Sequence, residues 1–303
     1  MMSNRDRKHP WLTAILVPAA LLSLLACSDD GGGDQDGGGG QDASSGPDLT
    51  VKPDQTPGSS VPTGGKGGSK GNVALSCADG RQYQLWVPTK YNEASPAPLV
   101  VALHGLGDTH TNFIAAMKYV GWVALADSEG FIIMVPASNN TTRKSFLHIK
   151  GTSSLDAPGT QKEARDLLDC VYKDLGARYN IETTQIYWIG FSEGATFSVY
   201  AAYIMHNELR AVAPYAGGMS GLTLPTKRKI PAYFICGTRD YSFTAIQAAY
   251  NAWIAGGHPG KSAWVSGVTH SFTGLNSQGP KARDVYQWLS TVKTDPVVSG
   301  YKK

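Results

Sequence analysis

From about residue 82 onward, short apolar runs alternate with stretches of helical period. Residues 98–103 (Pro-Leu-Val-Val-Ala-Leu) are continuously apolar, as are 131–135 (Phe-Ile-Ile-Met-Val), which Pro136 closes. Such runs mark strands buried on both faces of a mostly parallel sheet. Residues 185–191, 211–215, 232–236 and 263–268 read as further strands, whereas 82–87 alternates and predicts an edge strand ended by Pro88. Helical spacing appears over about 113–128, over 161–179 with Ala164, Leu167, Leu168, Val171 and Leu175 on one face, after Gly194, and over 245–255 and 281–293. Residues 137–160 are polar and glycine-containing, a loop long enough to suggest a functional role. Regular alternation of strand and helix predicts a doubly wound, mostly parallel α/β sheet in a single domain over 72–303.

The first 71 residues have no such pattern. Arg5, Arg7 and Lys8 precede an apolar stretch of about 15 residues that ends in Leu24-Leu25-Ala26-Cys27, the layout of a signal segment. A spanning helix needs about 20 apolar residues, and Pro18 interrupts this stretch, so a membrane span is not expected. Leu-Leu-Ala-Cys resembles a bacterial lipobox, which implies cleavage before Cys27 and lipid on its thiol. Ser28 in the next position resembles lipoproteins passed to the outer membrane. Residues 28–71 are Gly, Asp, Ser and Pro with hardly a large apolar side chain, and predict a flexible linker. Asp34-Gln-Asp36-Gly37 echoes the opening of a calcium loop, but the closing glutamate is missing.

Over 303 residues the content is 42% hydrophobic and 10% aromatic, sufficient for a globular core, and the net charge is +3. Lys227-Arg228-Lys229 is a tight basic cluster without interleaved aromatics, so no nucleic-acid partner is expected. With Cys27 assigned to lipid, Cys77, Cys170 and Cys236 allow one disulfide and leave one thiol, the pair being undetermined. No C-x-x-C pair or histidine cluster signals a metal, and no cofactor motif is present.

Candidate chemistry gathers where the strands end. Gly190-Phe-Ser192-Glu-Gly194 lies between a strand and a helix, in the form of the G-x-S-x-G nucleophile elbow. The alternative is a glycine-flanked helix N-cap with Ser192 as the cap. Two later strands lead into Gly237-Thr-Arg-Asp240 and Gly267-Val-Thr-His270. Serine, aspartate and histidine thus follow one another in the order of the α/β-hydrolase fold, each at the ligand-binding end of such a sheet. In that reading Ser192 is the nucleophile, His270 its base and Asp240 the carboxylate that orients the histidine. The oxyanion donors are the backbone N–H groups of Glu193 and of Leu106, in His104-Gly-Leu-Gly-Asp108. His104 is read as a structural residue of that loop, and His206 and His258 as unsuited to be the base.

Arg81-Gln-Tyr-Gln-Leu-Trp-Val-Pro, the 98–107 strand and loop, Ala124-Leu-Ala-Asp-Ser-Glu-Gly130-Phe-Ile-Ile-Met-Val-Pro136, the elbow and Ala211-Val-Ala-Pro-Tyr-Ala-Gly-Gly218 together resemble the polyhydroxybutyrate-depolymerase-like esterases, relatives of feruloyl and acetylxylan esterases. The resemblance spans about 72–293 and implies a secreted serine carboxylesterase acting on polyester or polysaccharide-linked esters. Thr269-His270-Ser271-Phe272 replaces the family's usual Gly-His-x-Trp-Pro, and Lys162-Glu-Ala-Arg165 its Asp-Val pair. A serine peptidase of the same fold, or a silent surface-binding module, are the alternatives.

Overall fold

The computed structural model describes residues 61–150, 154–219 and 226–301; the leader with Cys27 and most of the Gly/Asp tract lie outside them. In chain order the strands are β1 (Gly71–Ser76), β2 (Gln82–Val87), β3 (Ala97–Leu103), β4 (Ile132–Pro136), the two-residue β5 (Ile149–Lys150) and β6 (Ser154–Leu155), β7 (Ile181–Phe191), β8 (Ala211–Tyr215), β9 (Ala232–Gly237) and β10 (Gly260–Val265). The helices are α1 (His110–Tyr119), α2 (Trp122–Glu129), α3 (Ala157–Cys170), the single turn α4 (Gly176–Arg178), α5 (Glu193–Ile204), α6 (Phe243–Ala255), α7 (Phe272–Gln278) and α8 (Ala282–Thr291).

Eight strands form one sheet in the order β1-β2-β4-β3-β7-β8-β9-β10. Within this sheet only the pairings β1 with β2 and β2 with β4 are antiparallel, while β5 and β6 form a separate antiparallel pair. The apolar runs occupy its centre, as their hydrophobicity on both faces demands. Successive residues of β3 and β7 go to opposite layers: Val101 and Trp188 pack towards α3, α5 and α6, Val100 and Tyr187 towards α1, α2 and α8. This is the doubly wound, mostly parallel α/β sheet that the alternation predicts.

Several boundaries differ from the sequence reading. Residues 82–87 are not the edge strand, because β1 pairs with them along their whole length. Gly-Asn-Val-Ala-Leu-Ser is weak in β-formers and half exposed, so its pattern is that of a strand paired on one side only. The helix expected over 113–128 is two helices, broken where Gly121 turns to φ +92°. The helix expected from 161 starts at 157, with Pro158 in its first turn, and passes through a π-helical turn at Val171–Leu175. Strand 263–268 is shifted to Gly260–Val265; the helix expected over 281–293 is α8, and α7 before it was not expected.

Residues 61–70, grouped by composition with the linker, are tied to the start of β7. Thr63 N–H donates to Ile181 O (3.1 Å), Tyr179 Oη to Ser69 O (2.7 Å) and Tyr301 Oη to Thr63 O (3.1 Å). The disulfide joins Cys77, just after β1, to Cys170 at the end of α3, and Cys236 is buried as a free thiol. Glu163 and Arg165, departures from the family pattern, are structural ties. Buried Arg81 donates to Glu163 Oε1 at 2.7 Å and to Ala137 O at 3.0 Å, anchoring the root of the 137–160 loop. Arg165 pairs with Glu208 at 2.7 Å.

Candidate active site

The parallel strands β3, β7, β9 and β10 all end on the same side of the sheet, and the candidate residues follow them there. Between β7 and α5 the chain turns within one residue: Ser192 sits at φ +56°, ψ −118°, a conformation costly for a side chain other than glycine. The turn is held by Ser192 N–H donating to Tyr215 O at 2.9 Å. A Cβ on Gly190 would collide with the Gly194 carbonyl, and one on Gly194 with Leu103 O, so only glycine lets strand and helix approach this closely. Ser192 therefore does not act as an ordinary N-cap; its side chain makes no capping bond.

His270 Nε2 lies 2.8 Å from Ser192 Oγ, and its Nδ1 lies 2.8 Å from Asp240 Oδ2. Asp240 is buried, and its other oxygen accepts from Ser242 N–H at 2.8 Å. With a carboxylate accepting the Nδ1 proton, Nε2 presents its lone pair to the serine hydroxyl. The two loops that carry these residues are laced together: Arg239 N–H donates to Val268 O (3.0 Å), and Gly267 N–H to Thr238 Oγ1 (3.0 Å). Residues separated by 78 and 30 positions thus meet in one hydrogen-bonded line.

The loop after β3 packs against Ser192; a Cβ on Gly105 would stand 3.3 Å from Ser192 Cβ. Leu106 is the next residue, its side chain 40% exposed, in a turn closed by Asp108 N–H to Gly105 O at 3.2 Å. Glu193 opens α5, so its N–H has no acceptor within the helix. His104 is buried, donates from Nδ1 to Gly105 O at 2.8 Å and packs on Phe146; burial lowers its pKa. His258 accepts at Nδ1 from Ile230 N–H (3.1 Å) beside Trp253, and His206 donates from Nδ1 to Tyr203 O (3.1 Å). Among the described residues the grouping with metal-ligand spacing is Cys77, Cys170 and Asp174, whose two sulfurs are bonded to each other.

Two features were not legible in the motifs. The Glu193 side chain accepts at Oε1 from Phe146 N–H (2.7 Å) and Leu147 N–H (3.0 Å), with Ser145 Oγ at 2.9 Å from Oε2. Burial raises its pKa despite these donors. The elbow thereby clamps the long loop, whose Lys144 O in turn accepts from Gly107 N–H at 3.2 Å. Tyr241, next to Asp240, lays its ring on His270 with centroids 4.7 Å apart, and Phe191 covers the imidazole from another side at 4.9 Å.

Residues 89–243 match the phospholipase/carboxylesterase family. A bifunctional acetylxylan esterase/xylanase of Neocallimastix patriciarum is 30% identical over 163 residues, 53% of this chain and 22% of that protein. Poly(3-hydroxyalkanoate) depolymerase C of Paucimonas lemoignei is 30% identical over 124 residues, 40% of this chain and 28% of that protein. The matched regions are thus about a quarter of those relatives' length. A ferulic acid esterase of Anaeromyces mucronatus, solved with ferulic acid, superposes with a TM-score of 0.55 at 17% identity, over 81% of this chain and 95% of that one. Esterase PE8 does so at 0.50 and 19%, over 72% and 99%. At these identities the superpositions carry the fold, and the family match carries the assignment: the chain belongs to the phospholipase/carboxylesterase family of α/β-hydrolases.

Proposed function

We propose that the protein is a carboxylic ester hydrolase that works through an acyl-enzyme on Ser192. The observation that carries this reading is the unbroken line Ser192 Oγ, His270, Asp240, with 2.8 Å at each step. A serine hydroxyl attacks an ester only when a base takes its proton, and His270 Nε2 is placed to do so. Asp240 holds the ring in the needed tautomer and stabilises the imidazolium. As Oγ bonds to the acyl carbon, negative charge collects on the former carbonyl oxygen. The N–H groups of Glu193 and Leu106 are the donors that meet it. His270 then protonates the departing alcohol, and water repeats the sequence to release the acid.

The substrates that suit this reading are polyhydroxyalkanoate-type esters or feruloyl and acetyl esters carried on polysaccharide, as the names of the relatives suggest. A lipid on Cys27 would hold the enzyme in the cell envelope, outside the inner membrane, where such polymers are met. No described helix is long and apolar enough to cross a membrane.

A fluorophosphonate should label the wild-type protein and not Ser192→Ala. That variant should lose hydrolysis by a factor on the order of a million, as in well-studied serine hydrolases. Turnover that survives the substitution would refute the assignment. Panels of aryl, acetyl and polyester substrates then rank the substrate classes. Localisation is read separately: Cys27→Ser should move the protein from the membrane to the soluble fraction, and an unchanged distribution would refute the anchor.

A further inference from the structure

Tyr241 stands at the reacting centre without being needed to build it. The turn that carries it is closed across it by Asp240, whose Oδ1 and O accept from Ser242 N–H and Phe243 N–H at 2.8 and 3.1 Å. Its side chain is nevertheless 69% exposed, so packing alone does not account for a large aromatic here. Its Oη lies 3.4 Å from His270 Nε2. Nε2 therefore has two oxygen neighbours, Ser192 Oγ at 2.8 Å and Tyr241 Oη at the longer distance.

These two positions correspond to the two proton transfers of ester cleavage. The first moves the Ser192 proton to Nε2 while Oγ bonds to the acyl carbon. The second moves that proton from Nε2 to the alcohol oxygen while the carbon–oxygen bond breaks. The departing oxygen must stand beside both Nε2 and Oγ, which is the place the Tyr241 hydroxyl borders. A phenol O–H keeps its own proton at neutral pH and can donate a hydrogen bond to an oxygen gaining negative charge.

We propose that Tyr241 is a catalytic residue on the leaving-alcohol side of the site, its hydroxyl donating to the ester oxygen as it departs and its exposed ring seating the alcohol portion. This rests on the ester-hydrolase reading above. The substrate class it favours is esters of poorly acidic alcohols, such as sugar hydroxyls or hydroxyalkanoate units. Their alkoxides need stabilisation on leaving, whereas a nitrophenolate does not.

The test uses the full chain and esters of a single acyl group whose leaving alcohols run from 4-nitrophenol through phenol to ethanol. It compares wild type, Tyr241→Phe and Tyr241→Ala. Because kcat/KM reports formation of the acyl-enzyme, Tyr241→Phe should lower it about tenfold for the ethyl ester, the upper end of what one hydrogen bond contributes. The loss should shrink steadily along the series, and be several-fold smaller for the nitrophenyl ester. Tyr241→Ala should show the same trend and also raise KM for the bulkier alcohols. An equal loss on every ester would mean that Tyr241 only packs on His270, and no loss at all would mean that it does nothing in catalysis; either result overturns the proposal. If the wild-type protein cleaves none of the esters, the hydrolase reading itself fails, and this one with it.

Discussion

The clamp between the elbow and the long loop can be broken at one side chain. In Glu193→Ala the amides of Phe146 and Leu147 lose their shared acceptor, while Ser145 Oγ keeps Leu147 O at 2.7 Å. Each buried amide left without a partner costs about 1–3 kcal/mol, so two give about 2–6 kcal/mol. Release of the carboxylate's desolvation cost and relaxation of the loop towards water leave a net destabilisation near 2 kcal/mol. Catalysis should suffer more than stability. Once Lys144 moves, Gly107 loses its carbonyl partner and the Leu106 amide shifts; misplacement by about 1 Å costs on the order of a hundredfold in rate. Glu193→Gln separates charge from geometry, because a single oxygen can accept from both amides and the new NH2 can donate to Ser145 Oγ. Burial raises the Glu193 pKa above its unfolded value, so the folded state binds this proton more tightly than the unfolded chain does. Stability from this group therefore falls as pH rises through the raised pKa. Glu193→Gln should melt higher than wild type at neutral pH, with the gap closing on acidification, and retain most of its kcat/KM. Melting curves across pH and ester kinetics for both variants check this. Wild-type kcat/KM in Glu193→Ala would refute the clamp.

Two further outcomes concern stability. The Cys77–Cys170 bridge closes a loop of 93 residues' separation, for which restriction of the unfolded chain is worth about 4–5 kcal/mol. Reduction, or Cys77→Ala with Cys170→Ala, should lower Tm on the order of 10 °C, and a Tm unaffected by reductant would show that the bridge does not stabilise the fold. His258 is buried, and burial together with nearby Lys229 and His206 depresses its pKa to about 4. The unfolded state then takes up a proton between about pH 6.5 and 4 that the folded state refuses, so stability falls as pH drops through that window, by about 3 kcal/mol at most. His258→Asn, which keeps an acceptor for Ile230 N–H, should flatten the acid limb of a Tm-versus-pH curve; parallel curves would contradict the assignment.

Much of the fold was written in local pattern. Runs such as Leu99-Val-Val-Ala-Leu103 can only be central strands, because water on either face would cost each of them its burial energy. Gly190 and Gly194 around Ser192 announce a tight strand-to-helix turn for the same local reason, and the order Ser192, Asp240, His270 places the three at strand ends. Where the pattern was weak, the boundary shifted: β1 has half-polar residues because it pairs on one side, and residues 61–70 carry few apolar groups because their hold is backbone hydrogen bonding to the start of β7. Contacts between distant residues had no local trace. The choice of Cys170 rather than Cys236 as the partner of Cys77 depends on α3 passing beneath the β1–β2 turn. Glu193 looked like a variable position of the elbow, and only the path of a loop some 46–48 residues earlier gives its carboxylate three donors. Tyr241 belongs to no sequence motif, and only β9 and β10, lying side by side, bring His270 under its ring. Periodicity records what each residue needs from its immediate neighbours along the chain, whereas these side chains are defined by partners that only the closed sheet brings within reach.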